Sequence, residues 1–189
     1  MGQIIYIPSI NLSVEKERTC FERDWFECHS ILQAEGSKML TLFEFISFLK
    51  YAKEKHPAVY SEIVEIKTPW VAEWLDIRFH IIDGISMVSS NHILDSRGKL
   101  IPKNLSPLDE DTLMENKRIS LEDYITINHT SQGLPNKKVK LGELCYWAPK
   151  TENNLTARFL THIENAYLDC NLNPGGFLLG LGVRAARYK

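Results

Sequence analysis

LTHIENAYLDCNLNPGGFLLG, residues 160–180, is the stretch on which the reading of this chain turns. It is bracketed by Thr156-Ala157-Arg158-Phe159 and by Leu181-Gly182-Val183-Arg184-Ala185-Ala186-Arg187. The flanks are regular, whereas the run mixes apolar, polar, aromatic and glycine residues with no sustained helical or strand period. Inside it one alternation is legible. On a strand, Ala166, Leu168 and Cys170 point one way and Tyr167, Asp169 and Asn171 the other, because successive side chains alternate between the two faces. An ordered frame around irregular chemistry is expected of a binding surface rather than a catalytic centre.

Outward from this stretch, the chain reads as one domain over residues 1–189. Its length is 189 residues, with 44% hydrophobic and 24% charged, the normal globular range. A net charge of −2 gives no electrostatic footprint for nucleic acid. Lys137, Lys138 and Lys140 form the one dense basic cluster and read as a solvated loop. No apolar run approaches the length of a membrane span, and MGQIIYIPSI lacks the charged and apolar regions of a signal peptide, so a soluble protein is expected. Cys20, Cys28, Cys145 and Cys170 have no CxxC spacing. Cys28, Cys145 and Cys170 are read as buried free thiols.

Residues 3–14 read as a strand with a turn at Pro8-Ser9. From Asp24 to Glu35 the positions Trp25, Cys28, Ile31 and Leu32 recur at helical spacing, and Gly36 supplies a stop. Thr41 and Glu44 have the spacing of a capping box, followed by an apolar face of Leu42, Phe45, Ile46, Leu49 and Ala52. A shorter helix from about Ala58 to Glu65 follows. Asp83-Gly84 between β-rich runs predicts a hairpin, and Arg97-Gly98 another turn. Residues 104–116 read as a loop with room for one short helix, Leu121–Ile125 as a short capped helix, and residues 139–149 as a strand. The last part alternates strand and loop. The order, strand, two helices, then a β-rich half with long loops and a terminal strand, therefore reads as α+β with the terminal strands pairing.

Six phrases in order, DWFECHSILQAEGSKMLTLFEF, TPWVAEWLDIRF, ISLEDYI, SQGLP, KVKLGELCYW and ARF…LGVRAAR, resemble the variable proteins of archaeal diversity-generating retroelements, found in archaeal viruses and small-genome archaea. The resemblance runs from about Cys20 onward. It implies an α+β C-type lectin fold of the formylglycine-generating-enzyme type, with two helices packed on a small, mainly antiparallel sheet with long loops, ending in a strand with an LGxR phrase. It also implies a variable region at about 153–180, diversified by template copying that turns AAY codons into NNY. Such codons exclude Lys, Gln, Glu, Met and Trp. Residues 160–180 contain none of these except Glu164.

Carried over by position, the resemblance makes Ala157, Arg158, Phe159, Ala166, Leu168, Cys170, Pro174, Leu181, Gly182, Val183 and Arg184 a fixed frame. The implied ligand-binding positions are Leu160, Thr161, His162, Ile163, Asn165, Tyr167, Asp169, Asn171, Leu172, Asn173, Gly175, Gly176, Phe177, Leu178 and Leu179. Asn153, Asn154 and Leu155 are looser candidates. The competing reading makes Tyr167, Phe177, Leu172, Leu178 and Leu179 ordinary core.

The implied function is non-enzymatic binding of a protein or glycan ligand on a cell or virion surface. No metal, cofactor or catalytic residue is expected. His29, His56, His80, His92 and His129 are dispersed without metal-ligand spacing. Glu73 and Asp76 flank Trp74 and could pose as an acid/base pair, but their apolar neighbours favour a structural element. Arg158, Arg184 and Arg187 are expected to tie the terminal strands, since a guanidinium fork suits carbonyls and carboxylates. The alternative is an oxidase related to formylglycine-generating enzymes. That chemistry needs a poised cysteine pair, for which Cys145 and Cys170 are the late candidates. The Glu-Pro-Asn and Trp-Asn-Asp motifs of calcium-dependent sugar sites are absent from the sequence.

Overall fold

A strand buried on both faces organises the molecule. In β4 (Val71–Ile82) the even positions Ala72, Trp74 and Asp76 face one layer, and the odd positions Leu75, Ile77 and Phe79 face another. The computed structural model describes residues 3–65, 70–150, 154–162, 164–176 and 178–189. The other strands are β1 (Ile4–Ile7), β2 (Leu12–Thr19), β3 (Lys38–Met39), β5 (Ile85–Leu94), β6 (Leu100–Pro107), β7 (Lys117–Ile119), β8 (Leu144–Trp147), β9 (Leu155–His162), β10 (Asn165–Leu172) and β11 (Leu181–Tyr188). Among the described residues they join in one 11-stranded sheet with the path β1-β2-β11-β4-β9-β10-β8-β7. β3 pairs with β11, and a β5–β6 arm leaves from β4. Most pairings are antiparallel, but β11–β4 and β10–β8 run parallel.

Helices cover both faces. On one side lie α2 (Leu42–Lys55), α3 (Pro57–Val64) and α4 (Leu121–Thr126), sealing the main core around Phe45, Phe48, Leu75, Phe159 and Leu168. On the other lies α1 (Trp25–Ala34), sealing a second core of Trp25, Leu32, Trp74, Leu181 and Val183. The caps explain where the helices begin. Asp24 and Glu27 form a capping box at α1, and Thr41 and Glu44 form one at α2. Each cap contributes about 1 kcal/mol by satisfying amides that have no partner within the helix.

The α+β expectation of two helices on a small sheet, the C-type lectin arrangement, is overturned. Among the described residues strand accounts for 44% and helix for 23%, and the sheet is mixed and large, with four short helices. One reason is β6, whose second half falls in the stretch 104–116 expected to be a loop. Pro102 interrupts it, yet it is an edge strand paired only with β5, where a missing amide donor costs little. Another is the short strands β3 and β7, too brief to show a period. The predicted strand at residues 139–149 shrinks to β8.

Candidate functional site

The C-terminal hairpin β9–β10 and the following loop contain the positions singled out above. Cross-strand pairing puts Leu160 opposite Tyr167 and Arg158 opposite Asp169, on the face turned away from the main core. Leu168 and Cys170 enter the main core, and Ala166 packs against it half-buried. On the open face Tyr167 meets Trp147 of β8 edge to face, with ring centroids 6.0 Å apart, and Trp147 is 45% exposed.

The loop between β10 and β11 is pinned at both ends. Asn173 Oδ1 accepts from the Gly175 amide at 2.9 Å, and the Pro174 carbonyl accepts from the Trp25 amide at the start of α1, 3.0 Å. At the far end the Gly180 carbonyl accepts from the Ala72 amide and from Arg18 Nη1. Gly180 has φ +80°, and a Cβ there would stand 2.7 Å from the Trp70 carbonyl oxygen, so only glycine fits. Gly182 is equally closed, with a built Cβ 2.9 Å from the Thr19 carbonyl oxygen. Between the pins Leu178 is 42% and Leu179 71% exposed.

The implied ligand-binding positions divide by environment. His162, Asn173, Gly175, Gly176, Leu178 and Leu179 are exposed; Leu160, Asn165, Tyr167, Asn171 and Leu172 are half-buried. Thr161 and Asp169 are not on the surface at all, at 1% and 3% exposure, which corrects their reading as outward, freely substitutable positions. Thr161 lies beneath the sheet. Asp169 is held by Arg158 Nη2 at 3.4 Å and accepts from the Asn171 amide at 3.0 Å. Asn171 is also committed, donating to the Ala148 carbonyl and accepting from the Lys150 amide, both at 2.8 Å. Ile163, Phe177 and Asn153 lie outside the described residues. No helix among the described residues is long and apolar enough to cross a membrane.

The three arginines act as ties. Arg158 pairs with Asp169; Arg184 Nε donates to Glu73 Oε1 at 2.9 Å; Arg187 reaches Ser37 Oγ and the Glu35 carbonyl. Glu73 and Asp76 therefore do not form an acid/base pair, because alternation along β4 sends them to opposite faces. Cys145 is half-buried on the Tyr167 side, while Cys170 is enclosed in the main core, where burial pushes its thiol well above the ordinary value. The two make no poised pair.

On the α1 side a polar cluster that the sequence spacing conceals is assembled from three elements. His92 Nδ1 lies 2.5 Å from Asp76 Oδ1, and the His92 amide donates to Asp76 Oδ2 at 3.0 Å. His29 Nε2 stands 3.6 Å from Asp76 Oδ1. Ser89 Oγ lies 3.1 Å from His92 Nε2 and 2.7 Å from His80 Nε2. The Trp25 indole packs edge-on against both His29 and His92 and donates to the Leu75 carbonyl. Burial holds the His29 imidazole down to about 4, against the opposing pull of Asp76, so it is neutral near neutral pH. The Ser89-His92-Asp76 order is that of a nucleophilic triad, but Ser89 has 0% exposure, so no substrate reaches its hydroxyl in this conformation.

A cleft of about 470 Å³ lies elsewhere, against the outer side of α2 between Phe43, Lys50, Thr126 and His129, and none of the implied positions lines it. No protein-family model, curated protein or solved structure matches the chain.

Proposed function

We propose that this chain is a non-enzymatic binding protein. It offers the open face of β8, β10 and β9, together with the loop 173–180, to a protein or glycan on a cell or virion surface. One observation carries the reading: Leu178 and Leu179 stand exposed on a loop whose two ends are fixed by backbone hydrogen bonds. Leaving two adjacent leucines in water gains nothing for folding, whereas covering them on binding removes apolar area from solvent. Trp147 and Tyr167 add the amphipathic aromatic surface from which interface anchors are drawn.

The near-absence of residues that NNY codons cannot encode supports diversification of this segment by retroelement copying. A pinned loop with a substitutable crest suits such variation, and the buried Thr161 and Asp169 would belong to its constant part. The oxidase alternative is disfavoured by the separation of Cys145 from Cys170 across the sheet.

The test has a genomic and a biochemical arm. The genomic arm seeks a near-copy of the coding segment for residues 160–180, differing at adenines, beside a reverse transcriptase gene. In the biochemical arm, wild type and Leu179→Glu are screened on glycan arrays and on surface proteins of host cells. Binding lost in the variant with unchanged melting supports the reading. Binding that survives both Leu179→Glu and Tyr167→Ala refutes it.

A further inference from the structure

The geometry points to a structural divalent metal site, of the zinc class, formed by His29 of α1, Asp76 of β4 and His92 of β5. One ligand atom from each residue lies within 4.8 Å of the others, and all three side chains are buried. Acidic or imidazole groups gather for many reasons, and two further observations bear on this cluster.

The first is His29. Both its ring nitrogens are buried without a hydrogen-bond partner. An orphaned buried polar group is costly relative to a satisfied one, and a leucine or phenylalanine would fill the same space without that cost. His29 Nε2 lies 3.6 Å from Asp76 Oδ1, the spacing of two ligands on one ion, since tetrahedral donors about 2.0–2.2 Å from zinc stand about 3.3–3.6 Å apart. The second is charge. The close ion-pair partners of the Asp76 carboxylate among the described residues are the two imidazoles, while Lys38 and Arg78 act on the cluster only from farther off. A buried carboxylate without a cation is costly, and a divalent ion would offset it.

The surroundings suit a metal in place of the proton on His92 Nδ1. Without metal, His92 Nδ1–H is donated to Asp76, Nε2 accepts from the Ser89 hydroxyl, and Ser89 Oγ accepts from His80 Nε2–H. With metal on Nδ1, the proton moves to His92 Nε2, which donates to Ser89 Oγ; the Ser89 hydroxyl then donates to His80 Nε2, and half-buried His80 carries its own proton on Nδ1 instead. Ser89 serves either tautomer, in the manner of the outer-shell partners that orient metal-bound histidines. The His92–Asp76 contact of 2.5 Å would open by roughly 0.8 Å to admit the ion. Two nitrogens and one oxygen are a donor set for zinc or a neighbouring divalent transition ion rather than for calcium or magnesium. Full enclosure makes the site a clamp between α1 and the sheet. If the binding face proposed above is correct, that clamp also steadies the loop, through the Trp25 amide on Pro174.

The test uses the whole chain, dialysed against a chelator and titrated with Zn²⁺ and Co²⁺ in competition with a chromophoric chelator. The expected result is one equivalent bound, a tetrahedral or five-coordinate cobalt spectrum, and a melting temperature raised by zinc. His29→Leu should abolish all three while melting at or above metal-free wild type. Ser89→Ala should weaken binding about tenfold or more. Wild type that takes up no stoichiometric zinc or cobalt overturns the site, as does His29→Leu binding with wild-type affinity. Should the leucine variant not fold, unchanged affinity in Ser89→Ala overturns it equally. None of these readouts depends on the ligand of the binding face.

Discussion

Replacing Glu73 by glutamine should destabilise the protein far more than a change of one oxygen for one nitrogen suggests. Its carboxylate accepts from Arg184 Nε at 2.9 Å, with both side chains at 5% exposure or less. Arg184 Nη1 is already without a partner, and its guanidinium lies over the Phe48 ring. Arg18 is close enough that burial and Arg184 lower its pKa while Glu73 raises it. Glu73 is thus the anion between two guanidinium groups at the junction of β4, β11 and β2. Breaking such a pair leaves a buried charge uncompensated and costs about 3–5 kcal/mol. At roughly 2–4 °C per kcal/mol for a chain of this size, the melting temperature should fall by about 6–20 °C. Urea unfolding at neutral pH measures the loss directly, provided the slope is unchanged. The double variant Glu73→Leu with Arg184→Met tests the cause, because apolar replacement of both partners removes the orphaned charge and should recover most of the loss. Arg18 keeps its bonds to the Ala72 and Gly180 carbonyls in that background. A Glu73→Gln loss below about 1 kcal/mol, or a double variant as unstable as the two singles summed, would refute the reasoning.

Other outcomes can be stated briefly. Leu178→Ser and Leu179→Ser should each leave stability within about 0.5 kcal/mol in thermal melts, since neither side chain is packed in a core. Asp169→Ala should cost about 2 kcal/mol, because Arg158 and the Asn171 amide both lose their acceptor; a silent substitution would return Asp169 to the surface set. Gly180→Ala should cost about 3 kcal/mol from its positive φ and its approach to the Trp70 carbonyl, read as a lowered urea midpoint. Asp123 has its pKa lowered by the Lys140 amide and then by the Asn128 side chain. Its contribution is complete above the ordinary value of 3.8 and disappears as pH falls through the lower folded value. The gap in urea midpoint between wild type and Asp123→Asn should therefore close in acid.

Local signals in the sequence were easy to read where one residue controls one backbone choice. Thr41 with Glu44 starts α2, Ser120 caps α4 through the Asp123 amide, and Asp83-Gly84 turns the β4–β5 hairpin, all as the spacing implies. The alternation of Ala166, Leu168 and Cys170 likewise marks the core side of β10. What failed was inference from exposure to sheet size. A strand such as β6, exposed along most of its length and interrupted by Pro102, has no apolar period, so its pairing with β5 is invisible in one dimension. Asp169 and Thr161 look like surface residues because their polarity is legible and their partners are not. The His29, Asp76 and His92 cluster was hidden for a related reason. Its members come from a helix and two strands, and what unites them is that β4 is covered on both faces.

The position of β11 has a consequence for how the chain is made. This strand lies between β2 and β4, in the interior of the sheet, yet it is synthesised after every strand it touches. As a ribosome delivers the chain, β2 and β4 emerge early with their facing edges unpaired, and they stay so until residues 181–188 appear. Folding then closes on contacts of very long sequence separation, the topology that slows folding and prolongs exposure of strand edges. The loop 173–180 is the segment that must span the gap at that final step. Any substitution in it is therefore also a test of whether the last strand still enters in register.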